Sequence, residues 1–175
     1  MEVALADVRT NRARRLTAGT PTRAAALGLV LALSAVACGS AGASSTSPAV
    51  YHVAAQRFRF GGMPTRIPPG LFDVTFTNHE AFPFQHEMVL ISLQVGQTSS
   101  DVINDAKTKG SDSEDDWLHW GEIPDVQTGA TKVGVFDLPS GTYALACWQT
   151  GIPGGGTGEV HAARGMVFQF TVASP

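Results

Sequence analysis

Stretches in which apolar and polar residues alternate recur along the chain from Tyr51 onward: YHVAAQRFRF (51–60), LFDVTFTN (71–78), HEMVLISL (86–93), TKVGVFDL (131–138), TYALACW (142–148) and MVFQFTV (166–172). They are rich in β-branched and aromatic residues, and a period of two predicts half-buried β-strands. Turn chemistry separates them: Gly61, Gly62 and Pro64, then Pro68, Pro69 and Gly70, and finally Pro139, Ser140 and Gly141, which reads as a hairpin turn. Many short strands at this spacing predict an all-β sandwich or barrel.

One segment departs from the period of two. In TSSDVINDAKTKG a Thr/Ser start is followed by Asp101, three residues after Thr98, then by apolar Val102, Ile103 and Ala106, basic Lys107 and Lys109, and Gly110. This pattern predicts a short capped helix. Behind it, SDSEDDWLHWGEIP has an acidic run and two tryptophans but no clean period. It reads as a solvated loop, with Trp117 and Trp120 covering part of the β-structure.

The first part of the chain is of another kind. Arg12, Arg14, Arg15 and Arg23 precede an apolar run from Ala24 to Ala37 that ends in LSAVACGS. This is the composition of an export signal, and the run is shorter than the roughly 20 residues of a membrane span. Small residues before Cys38, with Gly39 and Ser40 after it, resemble a bacterial lipobox. That resemblance implies cleavage after residue 37 and acylation of Cys38 as the mature N-terminus. The paired arginines leave the export route open between the general and the twin-arginine pathway. Residues 38–49, rich in Gly, Ser, Ala and Thr, read as a flexible tether, and residues 50–175 as the folded domain. Of 12 basic and 15 acidic side chains, removal of residues 1–37 leaves seven against thirteen, a net charge of about −6 that argues against a nucleic-acid partner.

Only two cysteines are present, Cys38 and Cys147. With Cys38 committed to lipid, Cys147 has no disulfide partner in the chain. An unpaired thiol in an oxidising compartment is buried, paired between chains, or held by a metal. Strand parity puts Tyr143, Leu145 and Cys147 on one face, and Met166, Phe168, Phe170 and Val172 on one face of the last strand. His161 lies between these strands, and His86 opens an earlier one after a loop containing Pro83. Two imidazoles, a thiolate and a weak thioether are the donor set of mononuclear blue-copper sites. The bland alternatives are a small buried Cys147, a core-filling Met166 and ordinary loop histidines, the reading given to His52, His79 and His119.

From about Tyr51 to Val172 the chain resembles the cupredoxins, the plastocyanin- and azurin-like family. The residues that carry the resemblance are Asn78 near a strand end followed by His86, then Tyr143, Cys147, His161 and, after four residues, Met166. The ending HAARGM is also similar to that of plastocyanin-like domains in exported bacterial proteins. Thirteen residues separate Cys147 from His161, where the family has only a few, and the helix with its acidic segment is an insertion.

The resemblance implies a cupredoxin-like Greek-key β-sandwich with one short inserted helix and one copper ion on His86, Cys147, His161 and Met166. Together with the lipobox-like sequence around Cys38, it implies one-electron transfer at the membrane surface with a redox or copper-accepting protein partner, in a lipoprotein of the cell envelope. Two other functions stay open, a copper carrier or storage protein and a metal-free interaction module. No Ser/His/Asp arrangement or second metal cluster suggests an enzyme, and GIPGGGTG lacks the Lys-Ser/Thr of a phosphate-binding loop.

Overall fold

A computed structural model of the chain describes residues 47–150 and 158–174. The expected signal (1–37), the acylation site Cys38, most of the tether and the glycine run 151–157 fall outside the described residues. The strands are β1 (Ala49–Ala55), β2 (Phe60–Gly61), β3 (Arg66–Ile67), β4 (Gly70–Asn78), β5 (His86–Leu93), β6 (Leu118–Val126), β7 (Thr131–Leu138), β8 (Gly141–Ala146) and β9 (Val167–Val172). They form two sheets, one ordered β2-β1-β4-β7 and the other β3-β9-β8-β5-β6. Between β5 and β6 lies helix α1 (Ser99–Lys109), continued by a 3-10 turn over Gly110–Asp116. The all-β sandwich with one inserted helix is therefore the observed fold.

The alternation read from the sequence is what builds the inner layer. Phe72, Val74 and Phe76 of β4, Met88 and Leu90 of β5, and Phe136 and Leu138 of β7 are buried between the sheets. Tyr143 and Leu145 of β8 and Phe170 and Val172 of β9 join them, as do Cys147 and Met166 just beyond these strands. Each such side chain contributes roughly 1.5–3 kcal/mol when fully removed from water.

The sheet containing β5 and β8 is buried on its outer face too. Val89, Ile91, Leu93, Ala144 and Ala146 point away from the inner core, yet form a second buried cluster with Val102 and Ala106 of α1. A strand covered on both faces needs no polar positions, which explains the unbroken apolar run MVLI in β5. The helix itself starts as expected: Asp101 accepts hydrogen bonds from the Thr98 backbone N–H (2.7 Å) and hydroxyl (2.8 Å).

Two sequence expectations are corrected. The stretch 51–60 is not one strand but a hairpin. Gln56 and Arg59 exchange backbone hydrogen bonds (3.0 and 3.1 Å), and Arg57 and Phe58 between them have positive φ of 53° and 54°. A two-residue turn with positive φ at both centres favours Asn-Gly, and two bulky residues there cost about 1–2 kcal/mol each. Nothing in the sequence marks such a turn. Likewise the segment read as a loop contains β6, an edge strand with only Ile123 and Val126 buried. Pro124 is tolerated there because an edge strand can spare a backbone donor.

Candidate metal centre

The four residues singled out in the sequence all come from one end of the doubly buried sheet. His86 is the first residue of β5 and is fully buried. The chain reaches it through a loop tied down by Asn78, the last residue of β4, itself fully buried. The Asn78 side-chain amide donates to the carbonyls of Phe84 (3.0 Å) and Val126 (2.9 Å), and its Oδ1 accepts the Glu80 backbone N–H (2.8 Å). Three strong bonds from one buried side chain thus fix the approach to His86.

Cys147 follows the last residue of β8 and points into the inner core, as its parity predicts. Its neighbour Trp148 is buried on the opposite side, its backbone N–H donating to Glu87 Oε1 (2.7 Å) and its indole to Ser113 (2.8 Å). The 3-10 turn His161–Arg164 is stitched to this strand end, with Ala162 N–H donating to the Cys147 carbonyl (2.7 Å) and His161 N–H to that of Gln149 (2.9 Å). Ala162 and Ala163 pack in the cluster with α1, so the inserted helix supports the turn that carries His161. Gly165, in the left-handed region at φ 93°, ends the turn and reverses the chain into β9. Met166 then donates its backbone N–H to the His161 carbonyl (3.0 Å), and its side chain is fully buried in the inner core.

Three donor atoms converge. His86 Nδ1 and His161 Nδ1 are 3.0 Å apart, and Cys147 Sγ lies 3.7 Å from the first and 3.5 Å from the second. A triangle with these sides has a circumradius of about 2.0 Å, close to metal–ligand bond lengths of roughly 2.0–2.1 Å for imidazole nitrogen and about 2.3 Å for thiolate in zinc sites. The residues present therefore fit a single ion held by two nitrogens and one sulfur. Both outer ring nitrogens, His86 Nε2 and His161 Nε2, are buried without a hydrogen-bond partner among the described residues. Glu80 Oε2 lies 3.7 Å from His86 Nε2, an ion-pair distance rather than a hydrogen bond.

Burial sets the protonation states. It lowers the pKa of His86, against the opposing pull of the Glu80 charge. His161 is pushed down to about 3 by burial, with His86 and the Arg164 guanidinium adding to the effect. Both imidazoles are therefore neutral near pH 7 and offer lone pairs. Burial, with the Glu87 charge behind it, raises the Cys147 thiol far above its usual range. Without a cation the thiol keeps its proton, and binding a metal must release it. Glu87 is itself raised to about 7, chiefly by burial, against the stabilising bond from Trp148.

A wall of side chains that the sequence does not announce surrounds the triad. Phe58 meets Phe84, His86 and His161 edge to face, with ring centroids 5.2, 5.7 and 4.8 Å away, and Arg164 lays its guanidinium over the Phe58 ring at 4.6 Å. His52, His79 and His119 are exposed.

No family model matches the chain, and no curated protein sequence does. Among solved structures it is similar to reduced auracyanin from the photosynthetic bacterium Roseiflexus castenholzii, at 19% identity and a TM-score of 0.51, over 74% of this chain and 100% of that one. Auracyanin A, a "blue" copper protein of Chloroflexus aurantiacus, matches at 17% identity and a TM-score of 0.48, over 73% and 100% of the two chains. An azurin of Methylomonas sp. strain J matches at 16% and 0.48, over 73% and 100%. The likeness to the Roseiflexus protein joins the two-sheet architecture described above in a single conclusion: this chain has the cupredoxin fold.

Proposed function

We infer that the protein is an electron carrier that would hold one copper ion on His86, Cys147 and His161, with the Met166 thioether as a fourth, weaker donor. The observation that carries this reading is the convergence of two Nδ1 atoms and one Sγ atom on a point about 2.0 Å from each. Copper, when bound, supplies a one-electron couple. The protein's part is to present two neutral imidazoles, to give up the Cys147 proton on loading, and to hold the donors in a dry, preformed frame. All three ligating residues are fully buried. That suits electron exchange through the protein shell better than substrate binding at an open coordination position, and it speaks against a carrier that hands its metal on from an exposed site. The lipobox-like sequence around Cys38 supports reading this carrier as a lipoprotein on the outer face of the membrane, where it passes electrons to or from another protein.

A titration of the metal-free protein with Cu(II), followed by visible absorption, tests the reading. A strong thiolate-to-copper band complete at one equivalent and lost in Cys147→Ala is expected. No band and no bound copper would sink the proposal and favour a metal-free interaction module, whereas tight, colourless Cu(I) binding would favour a carrier.

A further inference from the structure

The turn between β1 and β2 places its most awkward residue against the metal centre. Phe58 adopts φ 54°, a region bulky side chains avoid, and its partner Arg57 is also left-handed. Conformations of this kind persist where the surroundings over-determine them and cluster at functional sites. Here the surroundings are specific. The Phe58 backbone N–H donates to Glu80 Oε2 (3.0 Å), and the same oxygen faces His86 Nε2. The ring abuts both imidazoles, closest to His161, and carries the guanidinium of Arg164 over it, a residue of the same 3-10 turn as His161. Arg57, by contrast, is exposed.

We propose that Phe58, held between Glu80 and Arg164, is the specificity-determining wall of the site: it fixes the planes of His86 and His161 and keeps small anions and thiol reagents away from the metal and from Cys147. The inference rests on the copper reading for its anion arm and is independent of it for its thiol arm. A site closed in this way exchanges electrons but not ligands, and opening of the β1–β2 turn admits a small molecule.

Phe58→Gly is the informative variant, because glycine suits the positive φ and the turn can still form. In the metal-free protein, the reaction of Cys147 with an aromatic disulfide reagent should accelerate roughly tenfold or more in Phe58→Gly, since thiol reactivity follows access. Arg57→Gly relaxes the same turn but leaves the ring in place and should react at the wild-type rate, as should Phe58→Trp. In the copper-loaded proteins, azide should shift the visible band of Phe58→Gly and leave that of the wild type unchanged. A wild-type rate in Phe58→Gly, or equal acceleration in Phe58→Gly and Arg57→Gly, would overturn the proposal. If the wild type takes up no copper, the copper reading fails, and the thiol rates still decide the role of Phe58.

Discussion

The two sheets of the sandwich share one core but lead different lives on their outer faces. The sheet β2-β1-β4-β7 leaves Val50, Leu71, Val133 and Val135 more than half exposed. In the other sheet the corresponding face of β5 and β8 is buried under α1 and the His161 turn. Every candidate ligand comes from this second sheet or its immediate continuation, while the first supplies supports: Asn78, which anchors the loop to His86, and the turn that carries Phe58. Burial on both faces leaves a strand end little room to move, and that is where a preformed metal geometry can be kept without the metal.

Substitution on the two outer faces should break this contrast most visibly. Ala106→Asp places an unpaired charge in the cluster beneath α1 and should cost roughly 3 kcal/mol or more. Val135→Lys on the open face, directly opposite Asp73 of β4, should stay within about 0.5 kcal/mol. Denaturant unfolding of the metal-free variants gives both values, and equal costs would mean that the helix is a passenger.

The support from the first sheet can be removed next. Asn78→Ala deletes three hydrogen bonds, one buried and two part-buried, and should destabilise the protein by about 2–3 kcal/mol, at about 1 kcal/mol per bond. It should also weaken copper binding by freeing His86, which a competition titration reads.

Glu87 tests the buried face by pH. Its pKa is raised from the ordinary 4.5 to about 7, so between these values the unfolded chain releases a proton that the folded protein keeps. Its contribution to stability is present below about pH 4.5 and lost as the pH rises to about 7. Relative to wild type, Glu87→Gln should therefore gain stability across this window, by at most about 3 kcal/mol at about 1.4 kcal/mol per tenfold change in proton affinity. The histidines slope the other way: their lowered pKa values withdraw stability from the metal-free protein as the pH falls below the ordinary 6.5. In Glu87→Gln only that acid-side slope should remain from this group of residues. A parallel pair of wild-type and Glu87→Gln curves would contradict the buried, protonated carboxyl. The smallest effect belongs to Val133→Thr, exposed on the open face, which should change stability by less than about 0.5 kcal/mol.

Much of this was legible in the sequence where one physical rule dominates. The strands β4, β7, β8 and β9 alternate because one face is buried, and parity alone turned Cys147 and Met166 inward. Thr98 and Asp101 announced α1. The rest was set by tertiary contacts. The β1–β2 turn lacks glycine and asparagine, so its alternation reads straight through Arg57 and Phe58. The edge strand β6 buries too few side chains to show a period. The wall of Phe58, Glu80 and Arg164 draws on three distant segments with no shared motif. At the site, the order of His86, Cys147 and His161 pointed to a shared centre, and their convergence despite thirteen intervening residues follows from the backbone bonds between Cys147 and Ala162 and between Gln149 and His161.

Anomalous diffraction at the copper absorption edge, from crystals of the copper-loaded protein, tests the central claim most directly. One strong peak within bonding distance of His86 Nδ1, Cys147 Sγ and His161 Nδ1, with those side chains placed as they are here, is the predicted result. Copper found only at the exposed His52, His79 or His119, or a triad that must rearrange to bind it, would contradict the account.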